Sequence, residues 1–301
     1  MIHYLILTHK NPEQLEILIN KLSSTKSKVY VHIDGNSNID EFNYLKNKAI
    51  FIKKRVKIRR GGYSMVDGTL GAFEEILKNM SEKDHLVIMS GQDLPIKSQD
   101  FINKFLNNYI GKSFLEYRIQ PNNEWNILNR IIKYHFHDLI IPNYIDNFIK
   151  KIVGLFFDTS GLRNQVFCFI FQRFVNFFMP VKKYLYNNYK LYWGSSWMII
   201  SKNHIDLIIN FCNTKKGKKF VKGFKTVAGP DEIFFQTLLL NTEEKNNIIN
   251  DVLWYIDWKK GPGLPRILDV TDLEEIKKSD KLFARKFDLQ VDKEIFYKII
   301  N

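Results

Sequence analysis

Residues 2–34, IHYLILTHKNPEQLEILINKLSSTKSKVYVHID, decide the fold. His3 to Thr8 is a short unbroken apolar run, the pattern of a strand buried on both faces. Asn11 and Pro12 then open a helix, with Asn as its N-cap and Pro in its first turn. Leu15, Leu18, Ile19 and Leu22 recur at helical spacing and form its buried stripe. Lys28 to Asp34 is a second strand, ending on an acid. Further strands are expected at Ala49 to Ile52 and His85 to Met89, with a helix from about Asp67 to Met80 between them. This β-α-β-α order predicts an α/β fold with a mostly parallel sheet flanked by helices.

In such sheets ligands bind beyond the carboxyl ends of the strands. That rule draws attention to His9, to Asp34 and to the segment Ser90 to Pro95, which contains Asp93. A later strand, Ser113 to Ile119, carries Glu116. Regular α/β character returns at Tyr192 to Ser201, followed by a helix around His204 to Cys212. There are no internal repeats and no low-complexity linker, so residues 1–301 read as a single domain. Residues 120–190, less regular and rich in Phe, Tyr, Ile and Asn, read as a variable insert within it.

Composition narrows the function classes. Hydrophobic residues make up 45% and charged residues 26%, which excludes wholesale disorder. The 45 Lys and Arg against 32 Asp and Glu give +13, so an anionic partner is expected: nucleic acid, a phospholipid surface or a phosphorylated substrate. Two cysteines, Cys168 and Cys212, are too few for a disulfide framework or a Cys-based zinc module, and favour a reducing compartment. No run of 18 apolar residues occurs and the N-terminus lacks a basic signal region, so a cytoplasmic location is expected. Val166 to Met179 is polar only at Gln172, Arg173 and Asn176. It suits a core helix and equally a helix lying in a membrane interface, where Lys150, Lys151, Arg163, Lys182 and Lys183 would meet anionic headgroups.

Several short motifs admit both a structural and a functional reading. Gly61-Gly62-Tyr63-Ser64 precedes a helix; Gly62 would let a ligand approach backbone amides, or simply make a turn. Gly229-Pro230-Asp231-Glu232 sits at a helix start, where acids complement the helix dipole and where Glu232 could also serve as a general base. Trp193-Gly194-Ser195-Ser196-Trp197 places two aromatics around small residues, suited to a sugar ring or to ordinary core packing. Thr271 to Glu274 reads as a capping box, bracketed by Arg266 and by Leu282 to Asp288; these bases would converge on a diphosphate or form a solvated face. No Asp-x-Asp pair follows a strand, Asp93 stands alone, and no metal-ligand spacing occurs, so no metal is expected.

Seven of these segments, taken in order, resemble the core-2/I-branching β-1,6-N-acetylglucosaminyltransferase family, which also contains peptide xylosyltransferases. They are YLILTHKNPEQL, VYVHIDGNS, GGYSMVDGTLGAF, LVIMSGQDLPIKS, YWGSSWMIIS, GPDEIFFQTLL and LFARKFD, spanning roughly residues 4–288. The resemblance implies a GT-A-type, Rossmann-like fold and an inverting transfer from a UDP-sugar that needs no metal or other cofactor. Carried over, Glu232 is the catalytic base. Lys286, with Arg266 and Arg285, supplies the cations facing the departing UDP, and His9 and Asp34 are the uridine-side contacts. Glu116, Asp93, Trp193, Tyr255 and Gly62 face the donor sugar or acceptor.

The expected partners are thus a UDP-sugar donor and a glycan acceptor, in a bacterial form building a surface glycan on a lipid-linked acceptor at the inner face of the plasma membrane. GlcNAc is the first expectation for the sugar, with xylose and glucuronate as alternatives. Two other readings stay open. One is a transferase of the same fold that uses a metal through Asp93. The other is a non-catalytic basic module for nucleic acid or membrane, which the dispersed bases and lack of an RNA-binding signature disfavour, so nucleic acid is not an expected partner.

Overall fold

The computed structural model describes residues 1–119, 127–139, 166–179, 182, 184–258 and 264–299. The first strand, β1 (Ile2–Thr8), is buried along its whole length. Its alternate residues feed two cores: Leu5 and Leu7 pack on one face of the sheet, Tyr4 and Ile6 on the other. A strand wetted by neither face must be apolar throughout, which is why its sequence reads as a run.

β2 (Ser27–Ile33), β3 (Ile50–Phe51), β4 (His85–Ser90) and β5 (Asp93–Pro95) follow in the first third of the chain. Next come β6 (Ser113–Leu115), β7 (Arg118–Ile119), β8 (Tyr192–Trp193), β9 (Met198–Ser201), β10 (Ile248–Ile249), β11 (Trp254–Ile256) and β12 (Phe283–Arg285). Seven of them form the central sheet in the order β10-β6-β9-β4-β1-β2-β3. All neighbours in it are parallel except β9, which runs antiparallel to both β4 and β6. This is the mostly parallel, helix-flanked α/β sheet expected. A three-stranded sheet, β11-β12-β5, and the pair β7-β8 complete the strands.

Local details differ from the sequence reading in instructive ways. The first helix, Pro12–Leu22, has Pro in its first turn as expected, but Asn11 adopts φ 55° and makes no side-chain cap. Its amide turns instead toward Asp288 at 3.5 Å. The expected strand Ser113–Ile119 is two strands in two sheets, broken at Glu116 and Tyr117, and Tyr192–Ser201 is likewise broken at Gly194 to Trp197. The two breaks touch: a Cβ on Gly194 would collide with the Glu116 carbonyl, so only glycine allows this crossing. The capping box lies two residues earlier than read, from Asp269 to Asp272, leading into Val270–Asp272 and the helix Leu273–Lys278.

The stretch read as a variable insert falls partly outside the described residues, as do Lys150, Lys151, Arg163 and Lys183. Its described helices are Ile127–Ile132, Val166–Phe178 and Tyr184–Asn188. Among the described residues no helix is long and apolar enough to cross a membrane.

Candidate active site

Two adjacent parallel strands deliver the first pair of groups. His9 follows β1 and Asp34 follows β2, tied by Asp34 N–H donating to the Thr8 carbonyl at 2.8 Å. Asp34 is nearly buried, and one of its oxygens accepts from the backbone of Asn36 (2.7 Å) and Ile58 (3.2 Å) and from the Asn36 amide (3.0 Å). His9 is exposed at the strand end. Burial lowers its pKa, and Lys10 and Lys286 push it further down while Asp34 pulls it up. The structure therefore brings His9, Asp34 and Lys286 together from positions far apart in sequence.

A buried amide fixes Lys286 there. Gln14, on the first helix, donates to the carbonyls of Gly91 (2.7 Å) and Phe287 (3.2 Å) and accepts from the Leu289 N–H (2.9 Å). The Phe287 N–H in turn donates to the Gln92 carbonyl at 2.8 Å. Lys10 pairs with Asp288 at 2.9 Å, closing the same seam. Lys286, between these anchors, makes no ion pair with any described residue. Its pKa is lowered, first by burial and then by the positive charges of Arg285, Lys10 and Arg60, with Asp288 opposing. A half-buried cation crowded by like charge is stabilised by an incoming anion.

Glu232 closes the short turn Pro230–Glu232, not the first turn of an α-helix. Gly229 precedes it at φ 55°, its N–H donating to the Gly61 carbonyl at 2.8 Å. Arg130, which nothing in the local spacing of the sequence pointed to, organises the turn. Its Nε donates to the Ala228 carbonyl (2.7 Å), and Nη2 donates to the Gly229 carbonyl (2.8 Å) and to Glu232 Oε2 (2.8 Å). A Cβ on Gly229 would strike this guanidinium. Burial raises the Glu232 pKa; Arg130 lowers it, Asp231 raises it, and Arg60 lowers it again. Arg60 thus lies within electrostatic reach of both Glu232 and Lys286, so the candidate base and the candidate cation share one field. Asp231 is spent on the fold, accepting from Ser196 Oγ at 2.7 Å.

Other candidates are placed differently. Asp93 is fully buried, accepting from the Ser90 N–H (2.8 Å) and Oγ (3.0 Å), and burial raises its pKa. It faces Arg285 at 3.5 Å, its register partner between β5 and β12, and Arg285 lies over the Trp197 ring at 4.2 Å. The two form an ion pair in dry surroundings, within the small sheet. Among the described residues no cluster of three His, Cys, Asp or Glu is placed to hold a metal. Arg266 is engaged by Asp272, Asp257 (2.8 Å) and Asp269 (3.7 Å), and the first two raise its pKa.

Gly62 serves packing: a Cβ there would collide with Asp138, whose carboxylate accepts from the Ser64 N–H (3.0 Å) and Oγ (2.6 Å) at the start of the helix Ser64–Ile76. Trp193 is buried with Arg118 over its ring at 5.1 Å, and Arg118 also meets Glu116 at 3.3 Å. The Gly194 N–H donates to the Glu232 carbonyl at 2.9 Å, so the Trp193 and Glu116 crossing abuts the Glu232 turn. Tyr255 donates to Glu275 at 2.9 Å, with its pKa raised to about 12.

Glu232 and Lys286 thus stand as a half-buried carboxylate and a half-buried cation that both feel the charge of Arg60. The chain belongs to the Core-2/I-Branching enzyme family, whose model matches residues 2–142 and 167–279. Glu232 and Arg130 lie inside the match and Lys286 lies beyond it. The chain is 26% identical over 272 residues to the beta-glucuronosyltransferase GlcAT14A of Arabidopsis thaliana, covering 85% of this chain and 54% of that one. It is 20% identical over 313 residues to a xylosyltransferase of Ciona intestinalis, covering 97% of this chain and 33% of the relative. The xylosyltransferase sqv-6 of Caenorhabditis elegans is 22% identical over 315 residues, covering 95% and 34%. The chain spans between a third and about half the length of these relatives.

Proposed function

We propose that the protein transfers a sugar from a UDP-sugar to a glycan hydroxyl, with inversion and without a metal. The observation that carries the reading is Glu232 held at 2.8 Å by Arg130 in the turn Pro230–Glu232, with Lys286 left without an ion pair among the described residues. Glu232 takes the proton from the acceptor hydroxyl as its oxygen attacks the anomeric carbon; the bond to the β-phosphate breaks and its electrons leave with UDP. Proton removal by a positioned carboxylate contributes about 10²- to 10⁴-fold. Lys286 meets the charge that develops on the departing diphosphate, as charge-assisted hydrogen bonds to phosphate are strong. Arg266 and Arg285 are left out of this role because carboxylates already hold them.

The names of the relatives favour glucuronate or xylose as the sugar over GlcNAc. A metal-dependent variant through Asp93 loses support because that carboxylate is sealed between Ser90 and Arg285. The test is UDP release from a panel of UDP-sugars, with and without EDTA. Release that survives EDTA and depends on Glu232 supports the reading. Release that EDTA abolishes, or none with any UDP-sugar, overturns it.

A further inference from the structure

A cavity of about 580 Å³ has a lining that includes Ile131, Leu185, Tyr134, Lys182, Lys219 and Lys222. Among the described residues, no Asp or Glu lines it. The Lys182 ammonium is anchored, donating to the Thr226 carbonyl (2.8 Å) and hydroxyl (2.9 Å) and lying over the Tyr134 ring at 5.2 Å. Burial lowers its pKa to about 8. Lys219 and Lys222 come from the helix Lys215–Phe224, and none of the lysines 215, 216, 218, 219, 222 and 225 forms an ion pair with a described carboxylate. Three lysines over an apolar pocket, with no acid among the described residues to neutralise them, are matched by a ligand with an anionic head and an apolar body.

We propose that this cavity binds the phosphoryl head of an amphiphile together with the first part of its hydrocarbon chain. The apolar walls exclude a free phosphate as the intended ligand, because burying Ile131, Leu185 and the Tyr134 ring against water contributes nothing to its affinity. The cavity shares the helix Ile127–Ile132 with the catalytic turn: Ile131 lines the cavity while Arg130, one residue earlier, holds Glu232. Thr226, which anchors Lys182, stands two residues before Ala228, which Arg130 also binds. On the transferase reading, on which this step alone rests, the amphiphile is the carrier of the acceptor glycan.

The test is calorimetric titration of the whole chain with dodecyl phosphate below its critical micelle concentration. Inorganic phosphate and dodecyl maltoside serve as the head-only and uncharged controls. Saturable one-to-one binding of dodecyl phosphate is expected, at least about tenfold tighter than inorganic phosphate. Lys219 and Lys222 are exposed, so Lys219→Ala/Lys222→Ala keeps its Tm and its affinity for UDP. That double variant should bind dodecyl phosphate at least about tenfold more weakly. No binding of dodecyl phosphate, equal binding of the maltoside or of inorganic phosphate, or an unchanged affinity in the double variant overturns the proposal. Because binding is read without turnover, a failure of UDP release would remove the transferase reading and leave this result standing by itself.

Discussion

Replacing Arg130 by Met tests the geometry of the catalytic turn most directly. Methionine keeps much of the apolar stem and removes three hydrogen bonds: two to the Ala228 and Gly229 carbonyls and one to Glu232. A hydrogen bond to a charged group contributes about 1.5–3 kcal/mol, and the Glu232 contact counts for less because that side chain is 35% exposed. The two carbonyl bonds alone come to about 3–6 kcal/mol, equivalent to a Tm fall on the order of 10 °C. The chemical consequence has a definite sign. Arg130 favours the charged carboxylate, so its loss raises the Glu232 pKa, and the acidic limb of the pH–rate profile moves to higher pH. With the base no longer held, kcat should fall by about 10²-fold. Arg130→Lys, which keeps the charge but not the fork, should recover part of the limb shift and little of the stability. The assay is UDP release across pH 5–9 at a temperature where circular dichroism shows the variant folded. A folded Arg130→Met protein with an unmoved limb and normal kcat would refute the reasoning.

Other substitutions separate the remaining roles. Glu232→Gln should lower kcat by about 10²- to 10⁴-fold with UDP affinity retained, read by turnover beside calorimetry; normal turnover removes the base assignment. Lys286→Ala should weaken UDP binding by about ten- to a hundredfold while Tm stays level, since it breaks no ion pair and relieves repulsion from Arg285 and Lys10. Asp93→Asn strands the buried Arg285 charge and should cost about 3–5 kcal/mol in denaturant titration, with EDTA-resistant turnover per folded molecule unchanged. A Tm equal to that of the unaltered protein would show that the pair is not held as described.

The central sheet was legible because β1 and β2 are buried on both faces and the first helix is amphipathic, so burial wrote itself into residue order. Strand ends then pointed to His9 and Asp34 without further help. The broken strands were not legible, because the run Ser113–Ile119 is apolar enough for one strand and only the close approach of Gly194 to Glu116 splits it. Arg130 was hidden for a different reason: its partners are carbonyls and a carboxylate about a hundred residues away, and no local spacing encodes such a contact. Arg266 did carry a signal, since Asp269 and Asp272 follow at three and six residues and compete for it. Arg285 and Asp93 show the limit of reasoning from charge alone. Their residue types suit a diphosphate or a metal, yet pairing across β5 and β12 turns them toward each other.

The Gln14 amide has a consequence for how the molecule is made. During synthesis its donation to the Gly91 carbonyl can form early, but the Leu289 N–H that its side-chain oxygen accepts, and the Phe287 carbonyl, emerge some 275 residues later. Until then the first helix cannot bury its inner face without leaving an amide unsatisfied, at a cost of about 1–3 kcal/mol. A nascent chain halted before that point would hold most of its sheet and lack the seam that places Lys286, so on the proposed reading anion affinity marks the last stage of folding on the ribosome.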